Sequence, residues 1–552
     1  MLDVELKETL HLEDGYDETH YAPAIHAMVL SAVREKEPSR SLVEVKEIID
    51  RWKLEEWMNI FDNLPLLLPV DDESAREIVA AMGRSASSRE IVLASQEAVE
   101  RIEHDLTNED EEEEYDDNSR GEVEMNYPEA SKVNQILTLI DLNAAAIPRL
   151  VKRRKTAGET LEPIVESLGR ALAIAVPKST PEQWSGIMQA MTKVAVGAGK
   201  WVDDNAPDDV IAERTVQALV DKVLSVCCAN THTLIAQRVL EECFPRLARG
   251  STKPTSSPHD EAIIRLLDAY KSIKIDSTSK PSATDLFLGA YYPRTDIDPT
   301  KWLQFLLPVL LSSIQTNTFL DQSLAVLLRA LHVCETTTPR LELPASLTVP
   351  LCDVLPVIAS VHPDPIVRHQ AFRALALLLA AAEPQIRFQQ LVELTRDSEY
   401  PQMRVAAIGL VKSALIHALE SPGNTRDAFF GGHMFLRTFG PVLFRTDPPD
   451  LFTEDSLTLQ DFQQGPEPTR LAACLSLYYV LLLKDEKNQT GIRDKDVLAS
   501  VEHGFLTPLR KTINRWMDDP SIADSHVHDI TSVVSLKIGL ERVDSARTSI
   551  VS

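Results

Sequence analysis

Residues 350–420 carry the same helical unit twice, and that duplication restricts the chain to folds made of stacked helical hairpins. One copy runs through HPDPIVRHQAFRALALLLA, the other through DSEYPQMRVAAIGLVKSAL. Aligned on their arginines, Arg368 answers to Arg404, Val367 to Met403, Ala371 to Ala407 and Phe372 to Ile408, each pair about 36 positions apart, as a two-helix repeat requires. In the first copy an apolar stretch, 351–361, leads into the turn His362-Pro363-Asp364-Pro365. Two prolines forbid helix continuation there, and Asp364 is placed to accept from the free N–H groups of the next helix. Val367, Ala371, Leu375 and Leu378 then fall on one face, which Phe372 and Leu379 widen until two neighbours are needed to cover it. The second copy repeats the logic with Phe388, Leu391, Val392 and Leu394, a turn at 397–401, and a stop at Ser421-Pro422-Gly423-Asn424. Arg368 and Arg404 sit just inside the second helices and are expected to bridge to a carboxylate or carbonyl of a nearby turn. Pro363, Arg368, Ala371, Phe372, Arg404, Ala407 and Ile408 are thus read as residues that build the repeat.

The remaining chain points the same way. With 19 Gly and 33 Pro in 552 residues and no alternating strand patterns, it reads as an all-α, HEAT/armadillo-like α-solenoid of helical hairpins. The net charge of −27 argues against direct nucleic-acid binding, which needs clustered cations to displace counterions, and favours protein partners with basic surfaces. Cys227, Cys228, Cys243, Cys334, Cys352 and Cys474 lie in apolar helical patterns without a paired framework, as reduced core thiols do in the cytosol or nucleus. Asp3, Glu5 and Glu8 stand where a signal peptide would be basic, and the longest apolar runs, near 302–311 and 475–483, fall short of the roughly 20 residues that span a bilayer. The expectation is a cytoplasmic or nuclear protein that does not enter a membrane.

Composition divides the chain into an N-terminal helical block (1–102), an acidic disordered loop (103–129), middle helical repeats (130–250), a Ser/Thr/Pro linker (251–258), C-terminal HEAT-like repeats (259–540) and a fraying tail (541–552). The acidic loop includes EDEEEEYDD at 109–117, which solubilises the chain or draws a basic partner to it. Lys152-Arg153-Arg154-Lys155 admits two readings, a nuclear localisation signal or cations complementing a helix C-terminus.

Catalytic patterns are scarce. Gly197-Ala198-Gly199-Lys200 resembles a phosphate loop only in its final Gly-Lys, with Trp201 where a magnesium-binding hydroxyl would stand. His526-Val527-His528-Asp529 has no third metal ligand at a telling spacing and reads as a surface loop. No HExxH or GxSxG occurs, so neither an enzyme nor a bound cofactor or metal is expected. Residues 428–449 combine Phe429, Phe430, Phe435, Phe439 and Phe444 with Arg437 and Arg445. Most of the phenylalanines are expected in the core of a further helical layer, leaving Arg437 and Arg445 as candidates for partner contact.

The start of the second helix, with His362, Pro363, Arg368, His369, Ala371 and Phe372, and the later run Met403, Arg404, Ala406, Ala407, Ile408, Val411 and Lys412 resemble the family that joins glomulin, its plant root-development relatives and the fungal YAP-binding and kinetochore-associated proteins. The likeness is carried by about 60 residues. It implies a HEAT-like repeat protein without catalytic activity. Glomulin-type members use their C-terminal repeats to grip the RING subunit of a cullin–RING ubiquitin ligase and mask the surface that recruits the ubiquitin-conjugating enzyme. That implies a RING-box/cullin partner for residues 300–552. The fungal members imply instead an adaptor for a basic bZIP oxidative-stress factor or a kinetochore protein, and a thiol-dependent enzyme is the alternative of another class.

Overall fold

The computed structural model describes residues 9–10, 12, 20–112, 127–152, 154–207, 209–229, 231, 233–246, 257–273, 280–294, 297–338, 341–396, 398–420, 429–452, 457–518 and 531–551. Outside them lie acidic residues 113–126, Arg153, most of the 251–258 linker, Asp397, the 421–424 stop and the His526/His528/Asp529 cluster.

Every regular element among the described residues is a helix; the isolated bridges Val70–Glu129 and Leu343–Ala382 are the departures. In chain order the helices are α1 Tyr21–Arg34, α2 Leu42–Trp52, α3 Ile60–Leu67, α4 Glu73–Ser85, α5 Ser88–Glu112, α6 Lys132–Ala146, α7 Ala157–Ala175, α8 Pro181–Asn205, α9 Val210–Cys227, α10 Ile235–Cys243, α11 Pro258–Ser272 and α12 Ala283–Tyr291. Then come α13 Pro299–Thr316, α14 Leu320–Thr336, α15 Ala345–Val361, α16 Pro365–Ala381, α17 Pro384–Arg396, α18 Pro401–Glu420, α19 His433–Leu443, α20 Leu459–Gln464, α21 Glu467–Lys484, α22 Lys495–Val501, α23 Thr507–Met517 and α24 Thr531–Val551. Packing groups them into two units: Met1–Leu234 with Ser251–Tyr292, and Ile235–Gly250 with Pro293–Ser552. Each unit therefore takes a segment from across the 251–258 stretch.

In the first unit α6 packs on α8, α7 on α9, and α8 on α11. Capping boxes start α2 (Ser41 with Glu44), α7 (Thr156 with Glu159), α8 (Thr180 with Gln183), α11 (Ser257 with Asp260) and α12 (Ser282 with Asp285), satisfying N–H groups that a helix leaves free. Residues 103–112 are not loop: α5 continues through them to Glu112, and Arg170 of α7 pairs with Glu100 and Glu103. The Gly197–Gly199 run lies inside α8, where its glycines serve packing. A Cβ on Gly199 would stand 2.6 Å from Ile273 side-chain carbons, so only glycine lets that neighbour so close.

In the second unit α10 seats on α14 and α16, α13 on α14 and α15, α15 on α16, α17 on α18, α18 on α21, and α21 on α24. The α15–α16 and α17–α18 hairpins are the two copies read from the sequence. Asp364 caps α16 by accepting from the Ile366 N–H at 2.8 Å, with Pro365 in the first turn where its missing N–H costs nothing. α16 is covered by α15 and α14, and Ala371, Leu375, Leu378 and Leu379 are buried. Val367 and Phe372 are only half-buried; Ala374 and Leu377 complete the inner face in their place. α18 is long and apolar enough to cross a membrane by composition, but Met403, Ala407, Ile408, Val411 and Leu415 are buried where it packs on α17 and α21. The final helix extends through residues 541–551, because Val543 and Ala546 continue the buried stripe of Val533, Leu536 and Leu540.

Candidate partner-binding surface

α19 has two faces. Phe435, Phe439 and Leu443 recur every four residues and are buried, while Met434 (51 % exposed), Arg437 and Pro441 lie on the outer side. Phe388 of α17 is the centre of the inner face: its ring lies 5.7 Å from Phe429, 5.3 Å from Phe430 and 5.3 Å from Phe439. Arg387 adds a cation over the Phe430 ring at 5.5 Å. The phenylalanines are therefore mostly core, with Phe430, Phe435 and Phe439 buried and Phe429 at the edge, 36 % exposed. Phe444 is half-buried against Tyr478 at 5.1 Å.

Arg445 follows on an exposed loop whose backbone is held from below. Arg470 and Glu467, both buried at the start of α21, form a two-pronged ion pair at 2.6 and 2.7 Å. Arg470 also donates to the carbonyls of Val442 at 3.1 Å and Arg445 at 2.6 Å, and Glu467 accepts from the Asp447 N–H at 2.9 Å. Arg404 reaches the same loop, donating to Asp447 Oδ2 at 2.7 Å. Its counterpart Arg368 donates to the His362 and Pro363 carbonyls at 2.7 and 2.9 Å and so clamps its own turn. The two equivalent arginines thus tie different turns. Pro363, Ala371, Ala407 and Ile408 stay within the hairpins: Pro363 is exposed in its turn, and the other three are buried.

Arg437 and Arg445 are brought to the surface of one stretch of chain, Arg437 on the outer side of α19 and Arg445 on a braced loop after it. Sequence reasoning missed Met434 and the bracing pair. The signal for the pair was present as Glu467 and Arg470, three apart in the first turn of the apolar helix EPTRLAACLSL.

Four of the six thiols, all four buried, are poorly suited to nucleophilic chemistry. Burial pushes Cys227 and Cys474 up to about 12, and Cys228 and Cys352 rise well above the ordinary range for the same reason, so the reactive thiolate is suppressed. No three His, Cys, Asp or Glu side chains converge as metal ligands among the described residues.

Paired helices around an apolar interior define an α-helical repeat protein, with Met434, Arg437 and Arg445 on its surface. Residues 286–528 match the family model Kinetochor_Ybp2, described as "Uncharacterised protein family, YAP/Alf4/glomulin", so this stretch is similar to the YAP/Alf4/glomulin family. The matched region contains both repeat copies, α19 and the bracing pair. That likeness implies a protein-binding role. No curated protein matches the chain.

Proposed function

We propose that this protein is a non-catalytic regulator that binds the RING subunit of a cullin–RING ubiquitin ligase through the outer side of α19 and the Arg445 loop, covering the surface that recruits the ubiquitin-conjugating enzyme. The observation that carries the reading is the surface itself. Met434 and Arg437 are exposed on a helix whose other face is locked by Phe388, and the backbone of Arg445 is fixed by a buried ion pair. A backbone already held beneath Arg445 loses little freedom on binding, and arginine is enriched at the centres of interfaces. Arg437 and Arg445, exposed on a chain of net charge −27, select for carboxylates on the partner.

The test is equilibrium binding of the full chain and its R437E/R445E variant to a purified RING-box–cullin complex. The expected result is stoichiometric binding weakened at least about tenfold in the variant, equivalent to about 1.4 kcal/mol. Equal affinities would reject the assignment of this surface. The family model's kinetochore label favours a second reading, an adaptor for a kinetochore protein or a bZIP stress factor. It predicts binding to such a protein with no effect on ubiquitin transfer.

A further inference from the structure

α4 and α6 pack beside each other in the first unit and leave between them a groove of about 450 Å³, within the size range of small-molecule sites. Each helix lines it with one stripe of residues spaced three and four apart. The floor is aliphatic. Val79 and Leu142 are buried and Leu137 is half-buried, and Gly83 leaves room for Leu142, since a Cβ there would stand 2.6 Å from a Leu142 methyl carbon. Ala80 and Ala145 also line the groove and are exposed, so it opens to solvent past side chains too small to close it.

The polar groups of the α6 wall are already engaged. Asn134 accepts from the Gln183 amide at 2.8 Å, Thr138 donates to the Asn134 carbonyl at 3.0 Å, and Asp141 is paired with Lys193 at 3.0 Å. The α4 wall carries the cations. Arg76 pairs with Asp71 at 3.1 Å, whereas the Arg84 side chain has no ion pair among the described residues. The two arginines stand about 12 Å apart along the helix axis, which leaves the open charge at one end of an aliphatic groove. Arg149 adds a second cation at that end, donating to the carbonyls of Gly83, Arg84 and Ala86.

We infer that this groove binds a small aliphatic carboxylate, its chain lying on Val79, Leu137 and Leu142 and its charged end meeting Arg84. Removing the chain and the floor from water drives such binding, and a guanidinium takes a carboxylate through two parallel hydrogen bonds. An acidic helix of another protein is the other occupant that an apolar groove with free arginine would accept. The net charge of −27 separates the two: a helix carrying many carboxylates is repelled by the remaining surface, and a molecule carrying one is repelled little. A cationic amphiphile would meet Arg84 and Arg149 and find Asp141 already neutralised by Lys193.

The experiment titrates the full-length chain by calorimetry with octanoate and with octanol. Both titrations are repeated on A80W, which fills the groove from an exposed position, on R84E, and on R89E, a control whose arginine is exposed and lies outside the groove. Equal thermal midpoints establish that all four proteins are folded. Wild type is expected to bind octanoate at least about tenfold more tightly than octanol. A80W is expected to lose at least about tenfold for both, R84E to lose the preference for octanoate with octanol binding unchanged, and R89E to match wild type. Wild type that fails to bind octanoate or binds both probes equally, A80W that binds as wild type does, or equal losses in R84E and R89E would each overturn the inference. So would tighter binding of a helical peptide with one leucine face and one glutamate face, which would assign the groove to a protein partner.

Discussion

Glu467 and Arg470 illustrate how single residues hold this surface together. Both are buried, and each satisfies the other while Arg470 also satisfies two loop carbonyls, so removing one partner leaves an uncompensated charge in the interior. Arg470→Ala is expected to cost about 3–5 kcal/mol in chemical denaturation. It should also raise hydrogen exchange at residues 444–450, because Arg445 loses its carbonyl anchor; an unchanged loop would show that the brace is dispensable. The positions of Arg368 and Arg404 were legible in the sequence from their spacing, but their partners were not. Equivalent places in a repeat need not share a partner: Arg368 turns back to His362 and Pro363, while Arg404 reaches Asp447, 43 residues further on. Exposure within the phenylalanine-rich stretch was legible in outline, since a four-residue spacing puts Phe435, Phe439 and Leu443 inward. The central role of Phe388 was not, because it comes from a different helix.

At the scale of elements, α24 and α10 are the two attachments that periodicity did not reveal. α24 docks on α21 and is secured through Glu502, which accepts from Arg510, Thr507 and Arg547. Burial opposes ionisation of Glu502, but those hydrogen bonds outweigh it and lower its pKa from the ordinary 4.5 to about 2. A depressed carboxylate contributes stability that is fully present above its unfolded pKa and is lost as pH falls through the folded value. Hydrogen exchange in α24 should therefore rise as pH drops from 4.5 toward 2, after correction for intrinsic exchange. E502Q should exchange faster at neutral pH and respond less to acid; a response matching wild type would assign the acid sensitivity to other groups.

α10 lies in sequence amid first-unit residues, yet it seats on α14 and α16, where Asp321 accepts from the Ile235 and Ala236 N–H groups at 2.9 and 3.1 Å. D321A is expected to destabilise this nine-residue helix by about 1 kcal/mol, read as faster exchange confined to residues 235–243. Composition marked the Ser/Thr/Pro stretch at 251–258, but only contacts across distant sequence show that each unit draws on residues from both sides of it. A fragment beginning at residue 259 would lack α10 and bare the apolar faces it covers.

For the molecule as a whole, the all-helical repeat character was legible from one duplicated unit and a proline-rich, glycine-poor composition, because the 3.6-residue period survives wherever a helix buries one face. The binding surface was legible only as residue types, since which arginine faces outward depends on packing between helices. The most direct test of the central claim is discharge of ubiquitin from a charged conjugating enzyme by a RING-box–cullin complex, titrated with the full-length chain and with R437E/R445E. Stoichiometric inhibition by the wild-type chain, lost in the variant, is the predicted result. Undiminished discharge at saturating wild-type protein, or equal inhibition by both, would contradict it.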